Sequence, residues 1–213
     1  MKIGVIGSGI VGQTLAAGFL KYNHEVMVGT RNVAKLEEWQ SQHENAHLGS
    51  FADASNFGEL IVLAAKGSAA INALELAGEN NLKEKTIMDA TNPLADAAPE
   101  NGVLKFFTNL DKSLMETLQE KFPQAHFVKA FSCIGAPFMV NPDFGAQKPA
   151  MFICGNNSEA KSEASKIIDK FGFSVEDMGN VEAARAIEPL CILWCIPGLT
   201  QNNWQHAFAL LKK

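Results

Sequence analysis

The chain has 213 residues, with 18 Lys and Arg against 23 Asp and Glu and a formal charge of −5. That length holds one large domain, or one domain of about 150 residues with a small extension. The acidic balance, with a pI near 5.6, argues against a nucleic-acid binder, which usually carries a basic stripe and a pI above about 9. It argues equally against a polybasic membrane-surface module. A hydrophobic share of 47% with 19% charged residues excludes general disorder and supports a sizeable core.

Residues 2–6 are a short apolar run with β-branched residues, which predicts a buried parallel strand. A glycine turn follows, then a helix over about 10–22. A second strand is expected over 26–28. Asn32 reads as the cap of a helix reaching about Gln42. A weak strand at 46–49 precedes a short helical or turn segment at 52–57. Leu60–Ala64 reads as a fully buried strand, 68–77 as a helix broken by Gly78 and two asparagines, and 86–89 as a fifth strand closed by Asn92-Pro93. Residues 95–109 read as a loop. An amphipathic helix over 113–122 stops at Pro123, and 127–131 is the sixth strand. Pro137, Pro142, Gly145 and Pro149 mark the boundary between a core over 1–149 and a C-terminal extension over 150–213. The extension is expected to hold a strand at 151–154, a helix at 158–171, a strand at 173–177 and a helical tail interrupted at Pro197-Gly198. Alternating strands and helices predict an α/β fold of the Rossmann type, a doubly wound and mostly parallel sheet with a small β-α-β and helical extension.

Cys133, Cys154, Cys191 and Cys195 are too few and too scattered for a disulfide framework, which points to a reducing, cytoplasmic setting. Cys191 and Cys195 sit four apart in an apolar helical run and read as core thiols. His24, His43, His47, His126 and His206 show no metal-ligand spacing, so no metal site is expected. The apolar run Leu190–Leu199 is shorter than the roughly 20 residues a membrane span needs.

Gly7-Ser8-Gly9-Ile10-Val11-Gly12 is G-x-G-x-x-G, following a strand and opening a helix, the context of the dinucleotide fingerprint. The first glycine makes the turn, the second lets a pyrophosphate approach the backbone, and the third lets the helix pack on the sheet. The helix N-terminus supplies free N–H groups and a partial positive charge. A carboxylate at the end of the second strand would mark NAD. Instead the sequence reads Thr30-Arg31-Asn32, with Lys35 one helical turn on. A hydroxyl, a guanidinium, an amide and an ammonium suit a 2′-phosphate, so NADP(H) is expected over NAD(H). The other strand ends carry Ala64-Ala65-Lys66, Thr91-Asn92-Pro93 and Ser132-Cys133, and ligands of open parallel sheets lie beyond such ends. Thr91 and Asn92 suit ribose or the nicotinamide edge, and Cys133 reads as a pocket wall because no basic neighbour is evident locally. Asp89 reads as structural and Glu188 as a solvated helix charge. No Ser-His-Asp set or paired-carboxylate site stands out and no catalytic side chain is assigned, which fits hydride transfer between bound cofactors.

Over nearly its whole length the chain resembles the NADP oxidoreductase, coenzyme F420-dependent family. The resemblance rests on KIGVIGSGIVGQTLAAGF, VMVGTRN, MDATNPL, VKAFSCIGAP, FICGNNSEAK and EAARAIEPLCILW in that order. It implies NADPH held by residues 7–12 with Thr30, Arg31 and Lys35. It also implies a deazaflavin as hydride partner, with Asn92, Pro93, Ser132, Ile134, Gly135 and Ala136 bordering the rings and a small C-terminal domain closing the cleft. The cytosolic domains of the STEAP metalloreductases are similar, with a flavin as acceptor. The cofactor-binding set expected here is therefore Gly7, Ser8, Gly9, Ile10, Val11, Gly12, Thr30, Arg31, Asn32, Lys35, Ala65, Thr91, Asn92 and Pro93. The second-substrate pocket is expected at Ser132, Cys133, Ile134, Gly135 and Ala136.

The leading expectation is an NADP-dependent oxidoreductase acting on a deazaflavin, flavin or other small redox acceptor, without nucleic-acid or membrane partners. The alternatives are a non-catalytic NADP-binding sensor and a hydroxyacid-type dehydrogenase, which would need a larger helical second domain. Lys66, Lys129 and Lys148 are candidates for an acidic cofactor tail or plain surface lysines. The CILWCIPGL segment walls the pocket, forms a core helix or joins two copies as a homodimer.

Overall fold

The computed structural model describes residues 1–213. Six short strands, β1 (Lys2–Ile6), β2 (Glu25–Gly29), β3 (Ala46–Gly49), β4 (Leu60–Leu63), β5 (Thr86–Asp89) and β6 (His126–Lys129), form one parallel sheet in the order β3-β2-β1-β4-β5-β6. The chain starts in the middle and winds outward in both directions, so the loops after β1 and β4 diverge and leave a crevice at the carboxyl edge.

Each strand is apolar on both sides because helices cover both faces. Ile3, Val5, Leu60, Val62, Met88 and Val128 point to one core, and Ile6, Ile61, Leu63, Ile87 and Phe127 to the other. This is the period of two expected of a pleated strand. The first core is closed by α1 (Ile10–Lys21) through Leu15, Ala16 and Phe19. A short 3₁₀ turn at 33–36 leads into α2 (Glu37–Ser41). On the other side α3 (Phe51–Phe57) starts at a Ser50–Asp53 capping box, and α4 (Ala70–Ala77) and α5 (Glu79–Leu82) follow. A second capping box, Ser113 with Glu116, starts α6 (Leu114–Lys121). Each box satisfies two otherwise free backbone groups at a helix start.

Beyond residue 149, β7 (Ala150–Ile153) and β8 (Ser174–Asp177) make a separate two-stranded parallel sheet, touching the main sheet by one antiparallel bridge from Cys154 to Lys129. The crossover helix α7 (Ser158–Lys170) sends Ala160, Ala164, Ile167 and Ile168 into the same core as α1. α8 (Ala184–Ile187) and α9 (Leu190–Gln201) lead into an irregular tail.

Four local expectations change. β6 stops at Lys129 rather than running to Phe131, because Phe131 turns into the left-handed region (φ 59°) and its N–H donates to Met151 Sδ at 3.0 Å. Gly78 separates α4 from α5 instead of ending helical structure, since its φ of 87° redirects the chain for one residue only. Asn32 precedes a 3₁₀ turn but its side chain makes no capping bond. The terminal helix runs through Pro197-Gly198 without a break. Pro197 has no N–H to give the carbonyl of Leu193, and that residue is 53% exposed, so water can serve the carbonyl. The whole helical stretch Val181–Gln201 is 21 residues with mean hydropathy 1.2, long and apolar enough by length and composition to cross a membrane. The shorter run read from the sequence missed this.

Candidate functional site

β1 ends in the turn that the glycines make possible. Gly7 has φ +124°, and a Cβ there would stand 2.5 Å from the Ala64 carbonyl oxygen. Non-glycine residues rarely adopt that backbone, and this one has no room for a side chain. A Cβ on Gly12 would collide with the Gly7 carbonyl oxygen, so α1 packs tightly against the turn that precedes it. Gly9 caps α1 with no side-chain bond, and a Cβ there would meet nothing within 4 Å. The free N–H groups at the start of this helix therefore face an open notch.

Thr30, at the end of β2, ties the two loops together. Its hydroxyl lies 3.0 Å from Ser8 Oγ and accepts the Asn32 N–H at 3.1 Å. Gln13 Nε2 donates to the Ser8 carbonyl at 2.8 Å and holds the turn from the helix side. Thr30 thus serves as a brace, and the charged groups beside it carry the electrostatics. Arg31 and Lys35 are exposed, line the same cleft of about 300 Å³, and are absent from the ion pairs of the structure. Two unneutralised cations beside a helix N-terminus suit an anion.

The cleft continues past Ala64, Ala65 and Lys66 into a second cavity of about 200 Å³, bordered by Val11, Thr91 and Asn92. Asn92 Nδ2 donates to the Ser132 carbonyl at 3.0 Å, joining the turns after β5 and β6. Asn92 Oδ1 and Ser132 Oγ are buried without a protein partner, an unusual state that a bound polar group would resolve. Open notch, free cations and unpartnered buried oxygens all fit a dinucleotide with an extra phosphate.

Of the expected residues, Gly7, Ser8, Gly9, Thr30, Arg31, Asn32, Lys35 and Ala65 share the first cavity, and Val11, Ala65, Thr91 and Asn92 the second. Ile10 points to solvent at 69% exposure, Gly12 sits beneath the turn, and Pro93 is buried. Ser132, Cys133 and Ile134 are buried in the turn after β6, while Gly135 and Ala136 are partly open. The Trp194 indole of α9 lies over Gly135, 2.6 Å from where a Cβ would be. Burial pushes the Cys133 thiol up to about 12, so it is unreactive. Phe51, Ala69, Asn72 and Ala73 also line the first cavity. The sequence carried no sign of them, because only packing brings α3 and α4 to it.

The main correction concerns three charges. Lys129 is fully buried and bonded to Asp89 Oδ2 at 2.7 Å, Glu188 Oε1 at 2.9 Å and the Thr91 carbonyl at 2.9 Å. Asp89 Oδ1 accepts the Thr91 N–H at 2.9 Å and its hydroxyl at 2.6 Å. Glu188 is not solvated: at 1% exposure it accepts the N–H groups of Leu114 and Met115, both at 3.0 Å, at the start of α6. Burial by itself would lower the Lys129 ammonium; the two carboxylates outweigh it and hold the group above its ordinary value. Lys129 is therefore unavailable to a cofactor tail, and the outlying lysines are paired, Lys66 with Asp96 and Lys148 with Asp169. A signal existed: a lysine and an aspartate in otherwise apolar strands need buried partners. Beside this cluster, Arg185 Nε donates to Glu116 at 3.0 Å, and that hydrogen bond holds the carboxyl at about 2.

Comparison with known proteins agrees with this geometry. The family model described as NADP oxidoreductase coenzyme F420-dependent matches residues 2–93. Metalloreductase STEAP3 of Rattus norvegicus is 29% identical over 203 residues, which is 93% of this chain and 38% of that protein. An uncharacterized oxidoreductase of Bacillus subtilis (strain 168) is 28% identical over 180 residues, 84% of this chain and 57% of that protein. The chain thus spans between about a third and three fifths of these two relatives. The crystal structure of a candidate F420-dependent NADP reductase from Arthrobacter sp. FB24 superposes with a TM-score of 0.92 at 33% identity, covering 100% of both chains.

Proposed function

Because the chain belongs to the coenzyme F420-dependent NADP oxidoreductase family, we propose that it is an NADPH-dependent reductase that passes a hydride to a small, flat-ring acceptor of the deazaflavin or flavin class. The observation that carries this reading is the unneutralised Arg31–Lys35 pair beside the open helix start at Gly9. Bound there, NADPH would supply a hydride, and the protein's own groups would bind and orient it. Arg31 and Lys35 would hold the 2′-phosphate, the backbone from Gly7 to Gly9 the pyrophosphate, and Asn92 with Ser132 the nicotinamide end.

The acceptor class follows from what surrounds that end. Its lining sets the apolar Val11, Ala90 and Leu94 beside Thr91 and Asn92, which would suit a flat ring with a polar edge. The C-terminal part, residues 150–213, would close the site through α9. An acceptor screen tests the proposal: purified protein with NADPH and, in turn, a deazaflavin, free flavins, quinones, ferric chelates and aldehydes, following loss of NADPH absorbance. Turnover is expected with the ring acceptors. Tight NADPH binding without turnover of any acceptor would refute the reductase reading.

A further inference from the structure

The buried cluster stands where the cofactor groove ends. Asp89 is the last residue of β5 and Lys129 the last of β6. Both grip Thr91, and the next residue, Asn92, lines the second cavity and has a buried Oδ1 without a partner. Every hydrogen bond that Asp89 and Glu188 make is one they accept. Two carboxylates against one ammonium leave the cluster with a net negative charge. Lys66, the cation on the rim of this cavity, is already paired with Asp96, so it adds little positive charge to oppose the cluster. Within a fold, where the effective dielectric is far below that of water, such a charge is felt several ångströms away.

Reduced nicotinamide is a neutral ring, and the oxidised ring carries one positive charge. We propose that the Asp89–Lys129–Glu188 cluster sets the redox preference of the site, favouring the oxidised over the reduced nicotinamide. The inference rests on the NADP(H) reading above. It also gives the C-terminal helix a part in the site, because Glu188 belongs to the segment that joins α8 to α9. The start of α6 offsets some of the Glu188 charge, so each carboxylate contributes less than an isolated buried ion would.

The test is calorimetric titration of the full-length protein with NADP⁺ and separately with NADPH, comparing wild type with Glu188→Gln and with Asp89→Asn. Each change removes one negative charge and nearly preserves shape. The ratio of the Kd for NADP⁺ to that for NADPH should rise about fivefold in each variant, the size expected for one partly offset charge at short range. Arg31→Ala serves as the control, because it should weaken both forms by one factor. A structural role alone would weaken both forms equally in the cluster variants too. That result, or an unchanged ratio, overturns the inference, and either variant decides it if the other does not fold. Failure of the wild type to bind either form would instead sink the NADP(H) reading, and the inference with it.

Discussion

Replacing Arg31 by alanine tests the proposed source of cofactor choice. The guanidinium is exposed and has no carboxylate partner, so its removal orphans nothing and should move the folding stability by no more than about 0.5 kcal/mol. On the proposed reading, what would be lost is a charged hydrogen bond to a phosphate, about 1.5–3 kcal/mol in general. The position is open to water, which pulls the value down, and Lys35 remains in the same cavity. An intermediate loss of about 2 kcal/mol corresponds to a Kd for NADPH about 30-fold weaker. NADH has no 2′-phosphate, and its Kd should change by less than about twofold. Fluorescence titration of both nucleotides against wild type and variant measures this directly. Repeating it in higher salt should narrow the difference between the two proteins, because an exposed charge pair is screened. If NADH binding falls by the same factor as NADPH binding, or if NADPH binding is unaffected, Arg31 does not read the 2′-phosphate and the assignment fails.

Gly12→Ala forces a Cβ onto the Gly7 carbonyl oxygen; overpacking of this kind costs about 1–3 kcal/mol, so a lower melting temperature together with weaker binding of both nucleotides is expected. Glu116 is depressed from 4.5 to about 2 by its bond to Arg185. Its contribution to stability is therefore complete above 4.5 and is lost as pH falls toward 2. Arg185→Leu should flatten the acid limb of a melting-temperature profile over that window, and an unchanged limb would disconnect the pair from acid stability. The neighbouring Cys191 thiol lowers Cys195, which is only partly buried, whereas burial raises Cys133. Iodoacetamide mapping at neutral pH should thus label Cys195 first and leave Cys133 unmodified, and Cys133→Ala should retain NADPH binding.

Much of the fold is legible in the residues because its signals are local. Short β-branched runs separated by amphipathic stretches are sufficient to place all eight strands within a residue or two. The glycine spacing after β1 identifies the turn, since only glycine accepts φ +124° at Gly7. Arg31 and Lys35 are legible for the same reason: the end of the second strand is a position whose chemistry depends on residue type. Errors arise where a local signal meets a distant partner. Pro197 reads as a break, yet the helix runs through it, because the carbonyl it leaves without a partner belongs to the exposed Leu193. Phe131 reads as strand, yet the bond to Met151 and the turn into Ser132 take it elsewhere.

The sequence by itself determined the doubly wound sheet and the glycine turn with two free cations beside it, because periodicity, glycine spacing and charge type act within a few residues of one another. Only the tertiary structure decided the state of Asp89, Lys129 and Glu188. The partners of Lys129 lie 40 and 59 positions away in the chain, and a charge survives burial only where such partners converge. A lysine beside apolar residues looks the same in sequence whether water or two carboxylates receive it; the choice belongs to the fold.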